Sequence, residues 1–142
     1  RTHQRNRTAV PLQVGPRMGL GDVTKKVVPK MSLIAPARAG GHVCTRTFIP
    51  HDCHAAIGVL GAVSVATACI MPGSVTQGVA KVPPGSTKQM SVEHPTGEFS
   101  VTLEVGGTAE MRRVLKAGLL RTARHIMRGE VLVPAAIWDG RG

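Results

Sequence analysis

A chain of 142 residues is long enough to bury a core as one domain, and its 42% hydrophobic content with mean hydropathy +0.07 excludes an intrinsically disordered polymer. Two Phe, one Trp and no Tyr leave that core to Val, Leu, Ile, Ala and Met. The net charge of +10 admits nucleic-acid binding, but the scarcity of base-stacking aromatics favours a solvated basic surface, one that can draw in an anionic substrate.

Residues 1–16, rich in Arg, Thr, Gln and Pro, follow neither the helical nor the strand period and read as a poorly ordered lead-in; residues 17–142 read as a single domain. Lys26 to Ala35 holds two short β-like runs with Pro29 at an edge. Ala39-Gly40-Gly41 is a turn, and His42 to Ile49 alternates as a strand. One face of that strand carries Val43, Thr45, Thr47 and Ile49; the other carries His42, Cys44, Arg46 and Phe48. Pro50 ends it. The cluster His51-Asp52-Cys53-His54 then precedes an apolar run from Ala55 to Ile70, which predicts a helix buried on every side, closed by Pro72-Gly73. At about 1.5 Å per residue this run is too short to span a bilayer comfortably, so no membrane association is expected.

Residues 74–89 read as a loop and Met90 to Glu93 as a short strand. His94-Pro95-Thr96-Gly97 reads as a turn. Glu98 to Val105 alternates with Phe99, Val101, Leu103 and Val105 inward, and Gly106-Gly107 breaks it. Val114 to Thr122 predicts a strand, with a helix over Ala109 to Ile126 as the competing reading, and Glu130 to Val133 predicts a last short strand. The sum is an α+β domain, a mostly antiparallel sheet curled around one central apolar helix.

Two groups of residues carry candidate chemistry. Cys53 and His54 can exchange protons near neutral pH. Placed at a helix N-terminus, they would meet free backbone N–H groups that favour anions and lower thiol pKa values. The plainer alternative is that His51 or Asp52 caps the helix while Cys53 packs as a small hydrophobe. Arg46 could clamp a carboxylate or lie on the surface. In the second group, Glu93 and His94 precede Thr96 and Gly97, which can present a hydroxyl and an N–H to an anion; the alternative is a tight turn opening the next strand. His42, Cys44, His51, Cys53 and His54 are enough donors for zinc, but their spacing is not that of a zinc site, and no metal is expected. Gly58 and Gly61 read as permitting close helix–sheet packing, since no phosphate-loop pattern surrounds them. Three cysteines, an odd number without a C-x-x-C pair, argue against a disulfide framework and for a reducing cytoplasm, and no secretory leader is visible at the polar, basic start. Cys69, late in the apolar run, reads as inert core.

In order along the chain stand Met18-Gly19-Leu20-Gly21-Asp22-Val23, Val28-Pro29-Lys30, Ile49-Pro50-His51 with Cys53-His54, Glu93-His94-Pro95-Thr96-Gly97, Leu120-Arg121-Thr122-Ala123-Arg124 and Gly129-Glu130-Val131. This ordered set, over about residues 17–134, resembles the C-terminal half of the PrpF-like isomerases, and within them the tautomerases acting on 4-oxalomesaconate-like acids. The resemblance implies one half of a diaminopimelate-epimerase-like fold, whose two similar halves close on a cleft. It implies no cofactor and no metal. The implied activity moves a proton on a small unsaturated keto di- or tricarboxylate, as in the degradation of aromatic acids. It places Cys53 and His54 among the catalytic groups, and Arg46, His51, Glu93, His94, Thr96 and Gly97 among those binding substrate. The chain has about half the length the family leads one to expect, and Leu60-Gly61-Ala62 stands where the family often has Thr-Gly-Ala. The implied partner is therefore a missing N-terminal half, which usually supplies a catalytic Cys or Lys, or a second copy by self-association. The alternatives are an inactive truncated fragment and a small basic binding protein of the same fold, including one that binds nucleic acid through its basic ends.

Overall fold

The computed structural model describes residues 2–49 and 52–141, with the side chains of the first helix described from residue 9 onward. The opening segment, where no regular period is legible, forms helix α1 (Thr2–Arg17). Its Pro11 and Gly15, one helical turn apart, are its buried positions among the described side chains. A Cβ on Gly15 would lie 2.6 Å from a Val23 methyl, so the helix rests closely on buried Val23.

Six strands form one mixed sheet: β1 (Met31–Ala35), β2 (Val43–Ile49), β3 (Asp52–Cys53), β4 (Thr87–His94), β5 (Gly97–Gly106) and β6 (Arg113–Leu119). The order is β1-β2-β4-β5-β6, with β3 paired to β2. All neighbours are antiparallel except β2 and β4, which pair in parallel at Val43–Val92 and Cys44–Glu93. Parallel neighbours need a crossover, and helix α2 (Val59–Ile70) supplies it. The α+β sheet packed on one apolar helix is thus the architecture present.

The alternation read for β2 and β5 is the alternation of burial. Val43, Thr45 and Thr47 are buried on one face of β2, and Val101 and Leu103 are fully buried in β5. With Met90 and Val92 of β4 they meet Ala62, Val65, Ala66, Cys69 and Ile70 of α2, which forms the core. Cys69 is buried there, and loss of solvation pushes its thiol pKa up. Arg112 donates to the Ile70 carbonyl (3.5 Å), placing a cation at the negative end of α2. No helix among the described residues is long and apolar enough to cross a membrane.

Besides the poorly ordered lead-in, which is helical, three readings are corrected and one left open is resolved. The apolar run becomes helical only at Val59, and the helix is not buried all round: Leu60 is 81% exposed and Ser64 is exposed. One helix on one sheet can cover only one of its own faces. Strand β4 begins at Thr87, because β5 is long enough to pair with it from Glu104 onward. The 109–126 ambiguity resolves to strand β6, held by the β5 register, with a bulge between Glu104 and Val105. Glu130 to Val133 forms no strand; Val131 and Leu132 stand about nine-tenths exposed with no sheet edge beside them.

Candidate active site

The cluster expected at the helix N-terminus lies short of it. Asp52 and Cys53 are strand β3, and His54 through Ile57 form the link to α2. His51 lies outside the described residues. The helix cap is Gly58, in extended conformation (φ −71°, ψ 157°), with no side-chain cap. The first intrahelical bond described is Ala62 N–H to Gly58 O (2.9 Å), which leaves the N–H groups of Val59, Leu60 and Gly61 without partners in the helix. Gly58 and Gly61 do not serve close packing on the sheet. A Cβ on Gly58 would meet nothing, and one on Gly61 would touch only Ile57, 3.2 Å away.

The residues that carry these N–H groups line a cleft of about 750 Å³, a size ordinary for a small-molecule site. One wall is helix α2 with its cap, from Gly58 through Ser64 and Val65 to Ala68. The floor is strand β1 with Thr47 of β2. The rim includes Val28, Val75 and Thr76. Most of the lining is apolar, with polar side chains at Lys30, Ser32, Thr47, His54, Ser64 and Thr76. Ser32 and Thr47 face each other across the strands and share a hydrogen bond of 2.8 Å.

His54 is the predicted site residue that lines this cleft. Its backbone N–H donates to Thr47 O (2.8 Å), which fixes it beside the floor. Its Nδ1 accepts the Ala56 backbone N–H (3.0 Å), so the neutral ring carries its proton on Nε2. The imidazole is therefore presented as a hydrogen-bond donor.

Cys53 is not part of the cleft. It sits opposite Phe48 in the ladder, so both side chains share the face of β2 that carries Cys44 and Arg46. The cleft uses the other face, that of Thr47. Cys53 is exposed, its Sγ–H directed at the His54 carbonyl (3.7 Å). Arg46 is exposed on the same outer face, which removes it as a clamp for anything in the cleft.

Glu93 is a structural carboxylate. It is 5% exposed, on the face of β4 opposite Met90 and Val92. Its Oε2 accepts the Arg38 N–H (2.7 Å), and its Oε1 accepts those of Ala39 (2.7 Å) and Gly41 (2.8 Å). These bonds, the Arg38 amide foremost, hold its pKa below the ordinary carboxylate value against the opposing effect of burial. The turn after it does approach the first cluster: Thr96 Oγ1 donates to Ala55 O (3.0 Å). His94 Nδ1 accepts the Thr96 N–H (3.3 Å). Gly97 has φ +151°, a conformation side chains rarely adopt, so its part is to shape the turn. His94, Thr96 and Gly97 thus brace the link that carries His54, outside the cleft lining. Among the described residues, no three His, Cys, Asp or Glu side chains converge as metal ligands.

Sequence reasoning missed Lys30, Ser32, Thr47 and the helix start. The available signal was Gly58 before an apolar run with no Ser, Thr, Asp or Asn at the cap, which marks an uncapped helix.

The PrpF protein family matches residues 7–134. The chain is 60% identical over 125 residues to the (4E)-oxalomesaconate Delta-isomerase of Novosphingobium sp. strain KA1, covering 88% of this chain and 34% of that protein. It is 51% identical over 132 residues to the 4-oxalomesaconate tautomerase of Pseudomonas putida KT2440, covering 93% of this chain and 36% of that protein. The crystal structure of a methylitaconate-delta-isomerase superposes with a TM-score of 0.57 at 12% identity, over 78% of this chain and 35% of that one, a likeness of fold. The chain spans about a third of the length of these curated relatives, less than the half expected from the sequence.

Proposed function

The chain belongs to the PrpF family, and from that premise we propose that it is the anion-binding, oxyanion-stabilising part of a cofactor-independent isomerase. The reaction is a proton shift on a small unsaturated keto di- or tricarboxylate of the 4-oxalomesaconate kind, in the breakdown of aromatic acids. The relatives named for oxalomesaconate support the substrate class. The observation that carries the reading is the meeting of an uncapped helix N-terminus and the His54 imidazole on one largely apolar cleft.

Removing a proton beside a carbonyl places negative charge on an enolate oxygen. Preorganised donors in a water-poor site stabilise that charge. The N–H groups of Val59, Leu60 and Gly61 hold a substrate carboxylate with the helix dipole behind them. His54 Nε2–H donates a hydrogen bond to the developing oxyanion, and the base that took the proton delivers it to the new position. In this tautomer His54 is a hydrogen-bond donor; acting as a base through Nε2 would cost it the Ala56 hydrogen bond. The base that takes the first proton comes from an opposite wall, supplied by the remaining two thirds of the family's fold or by a second copy. Leu60 and Val75, 81% and 85% exposed at the cleft, are where that wall rests. The unpaired thiols of Cys44, Cys53 and Cys69 suit a reducing cytoplasm.

The test follows 4-oxalomesaconate tautomerisation by ultraviolet absorbance, with this chain alone and with the complementary segment of the Pseudomonas relative. His54→Ala lowers the rate by roughly 10²–10³-fold, the usual worth of one oxyanion donor. Cys53→Ser, on the outer face, leaves it within a factor of about two, because a residue outside the site lacks that leverage. No rate above buffer in either arrangement sinks the activity.

A further inference from the structure

The cleft contains one side-chain cation the proposed chemistry has not used. Lys30 lies just before β1, after the buried Pro29. Positions 30, 32 and 34 alternate onto one face, and all three line the cleft. The floor thus runs from the Lys30 ammonium through the Ser32 hydroxyl to Ile34. Lys30 has no ion pair or side-chain hydrogen bond among the described residues, whereas Lys26 donates to Leu20 O (2.7 Å), Lys88 to Pro83 O (2.6 Å) and Lys116 pairs with Glu104 (3.5 Å). No Asp or Glu lines the cleft to neutralise it.

We infer that Lys30 determines specificity by binding a second carboxylate of the substrate, while the N–H groups at the start of α2 hold the first. The inference rests on the proposed function and sharpens it. The cleft has two positive poles on separate walls, one a fixed dipole and one a flexible ammonium. A monocarboxylate can occupy only one of them. A di- or tricarboxylate occupies both, and the second engagement is intramolecular, so it gains from effective concentration. The apolar walls between the poles accommodate the carbon chain and strengthen both attractions by thinning the water around them.

The test is calorimetric titration of the full chain with tricarballylate, glutarate and butyrate, for wild type, Lys30→Gln and Lys30→Arg. Wild type binds the two polycarboxylates at least about tenfold more tightly than butyrate, consistent with one added charge-assisted contact. Lys30→Gln loses that margin and leaves butyrate unchanged; Lys30→Arg, which keeps the charge, retains most of it. A Lys30→Gln protein with the wild-type preference overturns the role of Lys30 and leaves the proposed function standing. Failure of wild type to bind any of the three overturns the anion-binding reading of the cleft, and this inference with it. Thermal melts of the three proteins, expected to coincide because Lys30 is exposed and unpaired, separate lost binding from lost folding.

Discussion

Replacing Gly58 with Asp separates stability from ligand binding. The backbone there is extended, in a region open to any residue, and a Cβ would meet no atom within 4 Å. The new carboxylate can accept an N–H from Leu60 or Gly61, as a capping side chain does. Exchange of Gly for Asp at a cap contributes a few tenths of a kcal/mol, and a negative charge at the helix start about 0.3–1 kcal/mol. The sum is on the order of 1 kcal/mol, or a rise of roughly 2–5 °C in melting temperature at this chain length. The same carboxylate occupies the N–H groups that the ligand needs. Loss of one charge-assisted hydrogen bond costs about 1.5–3 kcal/mol, which is a ten- to hundredfold fall in affinity for tricarballylate. Gly58→Ala is the control: it brings no acceptor, leaves the N–H groups free and retains binding. Melting curves and calorimetric titration of the three proteins read both effects. A Gly58→Asp protein that melts higher and binds tricarballylate as tightly as wild type would refute the helix start as the anion cradle. One that melts lower would refute the capping geometry.

Two further substitutions probe the frame behind the site. Glu93→Gln removes the charge held by the 38–41 turn. Because the folded pKa of Glu93 is depressed, its contribution is present above the ordinary carboxylate pKa and is lost as pH falls toward the folded value. The variant therefore melts lower at neutral pH and shows a flatter acid limb by circular dichroism; parallel acid limbs would remove Glu93 from that role. Leu103→Ala truncates a fully buried side chain facing α2, with an expected loss of about 2–5 kcal/mol read from urea midpoints. A loss under about 1 kcal/mol would mean that β5 and α2 do not share a close-packed core.

Much of this architecture can be read from local pattern. The alternation in Val43–Ile49 and Gly97–Gly106 is the burial pattern, because strand side chains alternate regardless of what covers them. The apolar run marks a helix, and the ordered motifs mark the family. The anion-binding character expected near that helix also stands as a proposal, moved from Cys53 to the Gly58–Gly61 turn. What misled was adjacency: four titratable residues directly before an apolar run look like its cap, yet pairing of Phe48 with Cys53 and Ile49 with Asp52 extends the sheet instead.

The sequence by itself determined strands β1, β2, β5 and β6, the single long apolar helix, the basic balance and the family. Only the tertiary structure decided which face of β2 meets the cleft, and with it the fates of His54, Cys53 and Arg46. Period-two alternation defines two faces and is silent on which one a helix will cover. Nor could it assign Glu93, whose three N–H partners lie 52 to 55 residues away, or Lys30, which shares the cleft with a helix start 28 residues further on only because α2 packs back on β4, β5 and β6 and leaves the cleft between itself and β1. Such relations are set by long-range packing, where the contacts that decide a side chain's role come from elements that local pattern cannot see.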